Sequence, residues 1–210
     1  MPVRFQHEQQ SNSVYFITFT CHKWRNLFSI TNAYDAVYKW FDSLYENKHR
    51  VIGYVIMPNH VHALIYFPEM KKSLNTIIGN AKRFMAYEII KRLEEQKNLA
   101  MLEELSASVK EKERKKGQRH KVFEDSFDAK ECNSNKFVYQ KLDYMHKNPV
   151  NKKWQLVNDF TDYFYSSASY YEKGIKQDNK LLHVNEVFLW SIMLHSSYRI
   201  PRSALFIQSH

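Results

Sequence analysis

The sequence predicts an α+β domain of the ferredoxin-like kind, an antiparallel sheet with two helices on one face, and three observations predict it. Residues 50–57 and 60–67 are both rich in β-branched and aromatic side chains and are separated only by Pro58-Asn59, a turn dipeptide, so they form a hairpin. A third run of β-formers, Val14 to Cys21, precedes them. Helical periodicity follows residues 14–21 and 60–67, which gives the order β, α, β, β, α and leaves one sheet face free for another layer or a ligand.

In chain order, VYFITFTC at 14–21 carries apolar residues on both alternating faces, the pattern of a central strand covered on both sides. Tyr34, Val37, Tyr38, Phe41, Leu44 and Tyr45 form the stripe of a helix over 32–47, with Thr31 or Asn32 as its cap. After the hairpin, Pro68 ends the second strand and Ser73 caps a helix whose stripe is Leu74, Ile77, Ile78, Ala81, Phe84, Met85, Ile89 and Leu93. From Lys91 to Lys121 the pattern loosens, and Ser108 to Lys121 holds seven Lys or Arg against two Glu. This charged insertion reads as a solvated helix end and a mobile loop, or alternatively as a basic flap over a phosphate backbone. Lys121-Val122-Phe123 is the candidate last strand of the sheet.

Asn135 to Lys147 reads as a helix capped by Ser134 or Asn135 and stopped by Pro149. Val138, Leu142 and Met145 make its buried side, while Gln140, Lys141, Tyr144 and Asn148 cluster on another. Trp154 to Tyr171 is aromatic and polar, suited to a peripheral layer, a stacking surface or ordinary core packing. Residues 1–171 are thus expected to form one catalytic-size domain, and 172–210 a C-terminal extension in which Val187 to Leu194 docks as a short helix.

Composition narrows the partner class. Thirty-one Lys and Arg against 22 Asp and Glu give a formal charge of +9, and 14 Tyr, 14 Phe and 4 Trp accompany it, which favours a polyanion with stackable bases. Two distant cysteines, Cys21 and Cys132, argue against a disulfide framework and a cysteine zinc site, and fit a reducing cytosol. No apolar run approaches the ~18 residues that span a bilayer, so no membrane partner is expected.

The chemistry concentrates on His60 and His62. Side chains at i and i+2 of a strand share a face, so the two imidazoles lie side by side where both can ligate one divalent cation. With 10 histidines in the chain an H-x-H triplet also arises by chance, and such a pair is more often hydrogen-bonded than metal-bound. Its apolar setting of Val, Ala, Leu and Ile argues that burial demands a partner. With Val61, Ala63, Ile65 and Phe67 toward the helices, His60 and His62 point to the opposite face.

GYVIMPNHVHALI at 53–65, DYMHKNPV at 143–150 and the weaker DYFYSSASYY at 162–171 resemble the single-tyrosine HUH transposases, and within them the REP-associated tyrosine transposases. The resemblance covers roughly residues 13–171. It implies that His60 and His62 hold a divalent metal, Mg²⁺ or Mn²⁺, that Tyr144 is the nucleophile, and that Asn148 gives the metal a third polar group. It further implies cleavage and rejoining of single-stranded DNA, with hairpins near the cleavage site, through a 5′-phosphotyrosine, in the cytosol at the nucleoid. Lys141, Lys147, Lys115, Lys116 and Arg119 are the candidate DNA contacts. Monomer or homodimer stays open. The rival readings are a non-catalytic single-stranded nucleic-acid-binding protein on the same sheet and a metal-dependent nuclease that uses water.

Overall fold

A computed structural model describes residues 10–175 and 180–187. Four antiparallel strands, β1 (Ser13–Thr20), β2 (Arg50–Met57), β3 (His60–Phe67) and β4 (Asp128–Glu131), form one sheet in the order β2-β3-β1-β4. That is the ferredoxin-like arrangement expected from the element order. The hairpin has the bounds read from the sequence, because the two-residue Pro58-Asn59 link pairs Met57 with His60 directly. A one-residue slip would turn every β3 side chain over, so this tight turn also fixes which face the histidines take.

One face packs on α1 (Leu27–Thr31), α2 (Tyr34–Glu46) and α3 (Leu74–Glu95), with Val61, Ala63, Ile65 and Phe67 of β3 in that core as expected. The other face packs on α6 (Asn135–His146) through Val138, Leu142 and Met145, against Phe16, Ile52, Val55 and Leu64. Ser134 caps α6 by accepting the Phe137 N–H at 3.3 Å, and Pro149 lies in the 3₁₀ turn that follows. Ser73 caps α3 in the same way through Thr76. Each such cap contributes about 1 kcal/mol. The outer edge of β2 is covered by the chain at 165–167 and by Leu182, whose N–H donates to Val51 O at 2.9 Å. An uncovered edge there would invite pairing with another chain.

Several sequence expectations are corrected. The cap of α2 is Ala33, without a side-chain hydrogen bond, because α1 already occupies Thr31 and uses Asn32 as its left-handed C-cap. Tyr45 is exposed beneath the Arg50 guanidinium, 4.3 Å away, and Trp40 is buried instead. Phe84 is 63% exposed, since the buried line of α3 passes through Ala81, Met85 and Ile89 beside it. Residues 91–121 are not a helix end and loop: α3 runs to Glu95 and is followed by α4 (Leu99–Ala107) and α5 (Glu111–Arg114). Leu105 anchors α4 in the helix-side core, and Asn98 caps it by accepting the Met101 N–H.

Among the described residues Lys121-Val122-Phe123 makes one bridge, Cys21 to Phe123, and the fourth strand is the polar Asp128–Glu131. After α7 (Ala168–Lys173), Leu182, Val184 and Val187 are buried on the α6 side of the sheet, whereas the rest of the expected 187–194 helix lies outside the described residues. Among the described residues no helix is long and apolar enough to cross a membrane.

Candidate active site

The site begins where β3 begins. His60 and His62 are 4% and 6% exposed, their ring centroids 4.7 Å apart, on the sheet face away from α2 and α3. Each ring is held by one nitrogen. His60 Nδ1 lies 2.7 Å from Asn59 Oδ1, and His62 Nδ1 lies 2.7 Å from Thr18 Oγ1 on the neighbouring strand, where register places Thr18 opposite His62.

Asn59 Nδ2 donates to Trp24 O at 2.9 Å, so the amide cannot flip without facing oxygen with oxygen. Its Oδ1 therefore faces His60, and the Nδ1 of His60 carries the proton. The Nε2 of a neutral His60 is left with a free lone pair. Burial, with Lys153 nearby, lowers the His60 pKa to about 4; burial, His60 and Lys141 push His62 well below its ordinary value. Both are neutral near pH 7, the state in which imidazole binds metal.

The helix α6 delivers the second half. Tyr144 is 55% exposed, and its ring centroid stands 5.6 Å from that of His62 and 6.2 Å from that of Phe16. Lys141, one turn earlier, places Nζ 4.9 Å from the Phe16 ring centroid and 5.6 Å from that of Tyr144. Burial, then repulsion from Lys130, lowers its pKa.

Asn148 is buried just beyond α6. Its Oδ1 accepts from Asn151 Nδ2 at 2.9 Å, an orientation fixed because Asn151 Oδ1 accepts the Lys153 N–H. Asn148 Nδ2 has no partner among the described residues. A buried donor without a partner is costly, and marks a place prepared for an incoming acceptor.

These groups line one cleft of about 450 Å³, together with Trp24, Asp128, Lys130, Lys153 and Trp154. The structure thus gathers His60, His62, Lys141, Tyr144 and Asn148 within one chain. Gln140, Lys147, Lys115, Lys116 and Arg119 do not line the cleft; Lys147 pairs with Asp143 and Lys115 with Glu111. The sequence reading missed Thr18, Trp24, Lys153 and the hydrogen bonds of Asn59, whose position it explained by the turn alone. Strand pairing would have disclosed Thr18 once the β1–β3 register was known. Among the described residues, no three His, Cys, Asp or Glu side chains are grouped to hold a metal. The donor set available to a cation is the His60 Nε2, the His62 Nε2 in the tautomer whose Nδ1–H donates to Thr18 Oγ1, and the remaining lone pair of the Asn148 oxygen, which suits a weak site completed by ligand oxygens.

No protein-family profile matches the sequence, and no curated protein matches it. A solved structure does: the REP-associated tyrosine transposase bound to a REP hairpin superposes with a TM-score of 0.55 at 13% identity, covering 85% of this chain and 90% of that one. The fold is that of a tyrosine transposase. Two of the three stretches that carry the sequence resemblance, 53–65 and 143–150, meet across the cleft.

Proposed function

We propose that the protein is a single-tyrosine, metal-dependent DNA strand transferase that cleaves and rejoins single-stranded DNA beside hairpins. One observation carries the reading: an exposed Tyr144 stands 5.6 Å, ring to ring, from a buried neutral histidine pair. Hairpin DNA is supported by the REP hairpin bound in the structural neighbour, and by the charge of +9.

His60 and His62 would hold Mg²⁺ or Mn²⁺ through Nε2, with Asn148 as the third polar group. When bound, the ion supplies Lewis-acid polarisation of a non-bridging phosphate oxygen and neutralises its charge. Asn148 Nδ2 donates to a phosphate oxygen, which satisfies its buried N–H. Lys141, with Nζ 5.6 Å from the Tyr144 ring centroid, sets a positive charge beside the reacting groups and attracts the phosphate. The Tyr144 oxygen forms a bond to phosphorus as the P–O3′ bond breaks; the phenol proton passes to water, and the leaving O3′ takes a proton from water. The resulting 5′-phosphotyrosine keeps the phosphodiester bond energy, so attack by a 3′-OH reverses the step without a nucleotide cofactor. Such an enzyme works where DNA is, in the cytosol at the nucleoid.

The test is a covalent adduct. Labelled single-stranded hairpin DNA with Mg²⁺ or Mn²⁺ should become protein-linked with the wild type and remain free with Tyr144→Phe. An adduct that persists in Tyr144→Phe refutes the assigned nucleophile. Cleavage without any adduct points to the water-using nuclease. His60→Ala should abolish the adduct and leave DNA binding.

A further inference from the structure

Beside the histidines lies a second aromatic wall that the strand-transfer chemistry does not use. The ring centroids of Trp24 and Trp154 stand 5.8 and 5.9 Å from that of His60, and both residues line the cleft. They come from distant parts of the chain, a turn after β1 and the segment after α6. Lys153 places its ammonium over both, 4.7 Å from the Trp24 centroid and 5.6 Å from that of Trp154. Tyr144, Phe16 and Lys141 form a similar group on the His62 side. The histidine pair therefore separates two walls, each made of aromatic rings and one lysine.

The backbone is committed to presenting Trp24. Its side chain is 55% exposed, unusual for a residue whose indole normally finds cover. Lys23 and Trp24 both occupy the left-handed region, at φ 50° and 58°, which is uncommon for bulky non-glycine residues and persists where the surroundings enforce it. Glu124 Oε1 accepts the Lys23 N–H at 2.8 Å, the Trp24 N–H donates to Cys21 O at 3.1 Å, and Trp24 O accepts from Asn59 Nδ2 at 2.9 Å. The same Asn59 amide holds His60. One carboxamide thus locks the indole platform and the candidate metal ligand into a common frame.

We propose that Trp24, Trp154 and Lys153 form a stacking subsite for one unpaired nucleobase, that of the nucleotide carrying the leaving 3′-oxygen. The side assignment rests on the strand-transfer reading above: in-line displacement puts the leaving oxygen opposite the Tyr144 oxygen, and the Trp wall lies across the histidines from Tyr144. An unpaired base offers π faces that a flat indole can cover, whatever the base identity. Lys153 leaves the rings for the adjoining phosphate as the base enters. Removing Trp24 should weaken binding roughly 5- to 150-fold, the range for one base–aromatic stack.

The experiment uses the full chain as Tyr144→Phe, so that the complex does not turn over, and a DNA hairpin with single-stranded feet. 2-Aminopurine replaces each foot nucleotide in turn, and cleavage by the wild type is mapped on the same DNA. The expected result is fluorescence quenching on binding at the nucleotide on the 3′-OH side of the cleavage position, lost in Trp24→Ala and partly restored in Trp24→Phe. An abasic nucleotide there should weaken binding to the wild-type protein to a similar degree, a readout that needs no protein variant. The proposal is overturned if quenching is unchanged in Trp24→Ala, if the affected nucleotide lies on the 5′-phosphate side, or if the abasic strand binds undiminished. Trp24-dependent quenching at one foot nucleotide with no adduct from the wild type supports the stacking subsite and overturns the strand-transfer reading alone.

Discussion

Gly53→Ala tests whether the seat of α6 on the sheet governs the proposed chemistry. Gly53 lies in β2 beneath α6, and a Cβ there would overlap Leu142 Cδ2, approach Met145 Cε to 2.7 Å and Ser167 Oγ to 3.2 Å. An ordinary contact begins near 3.4 Å, so at Met145 the packing must yield by roughly 0.7 Å. Leu142 and Met145 belong to the buried stripe of the same helix that carries Tyr144, and the stripe is closely packed. Overpacking of this kind costs about 1–3 kcal/mol. If α6 moves to relieve it, Tyr144 moves relative to His62, and a misplacement near 1 Å lowers rate on the order of 10²-fold.

The prediction is a lower urea midpoint and an adduct rate reduced at least about 10-fold, with hairpin affinity within about threefold of wild type. Leu142→Ala alone should cost about 2–5 kcal/mol through its cavity, and the double variant should be more stable than the sum of the two predicts, because the added methyl enters that space. Both effects are read by urea unfolding and single-turnover adduct formation. Strict additivity, or a Gly53→Ala protein indistinguishable from wild type in both assays, would refute the reasoning.

Acid should destabilise the protein. His60 and His146 are buried with pKa lowered to about 4, against about 6.5 unfolded, so the unfolded chain binds more protons between these values. Their contribution is full above pH 6.5 and declines as pH falls toward 4, by about 2 kcal/mol for each histidine between pH 7 and 5; an unchanged urea midpoint over that range would contradict it. Asn59→Ala removes the acceptor that fixes the His60 tautomer, and Mn²⁺ affinity, followed by titration, should fall about 10- to 100-fold. The triple variant Lys115→Ala, Lys116→Ala, Arg119→Ala should leave the salt dependence of hairpin binding unchanged, whereas Lys153→Ala should reduce its log–log slope by about one. Mn²⁺ should bind at least about fivefold more tightly when the hairpin is present, and the hairpin correspondingly more tightly with Mn²⁺, as linkage requires.

What was legible in the sequence followed from short-range rules. The Pro58-Asn59 turn and the alternation along β3 specify the hairpin, its register and the outward side of His60 and His62. Ser134 and Pro149 bounded α6, and its 3.6-residue period separated Tyr144 from the buried Val138 and Leu142. The strand β4 was hidden because Asp-Ala-Lys-Glu has none of the β-branched or aromatic character that marks a strand; its place comes from pairing with β1. The helix α4 has only two charged residues, Glu103 and Glu104, but lies between the highly charged runs 91–97 and 110–121 and is masked by them; Leu105 is its fully buried anchor. The Trp24 wall depends on a left-handed turn built without glycine, which has no composition signature and is held by Glu124 and Asn59 from elsewhere in the chain. The candidate site was thus legible where two residues share a strand or helix, and not where a tertiary hydrogen bond sets the geometry.

The choice of neutral imidazoles follows from the charge of their surroundings. Among the described residues Lys130, Lys141 and Lys153 line the cleft against one carboxylate, Asp128. Such a wall attracts a phosphodiester but opposes a free divalent cation. Two carboxylates in place of His60 and His62 would reverse this: they would hold the cation alone and repel the strand. Burial keeps the histidines uncharged, so as proposed ligands they would offer nitrogens without adding charge of either sign. Under the proposed reading a cation there would meet its charge balance only with the phosphate present, and the phosphate its strongest neutralisation only with the cation present. A site built this way would be assembled by its substrate, which would tie the proposed cleavage to the bound strand.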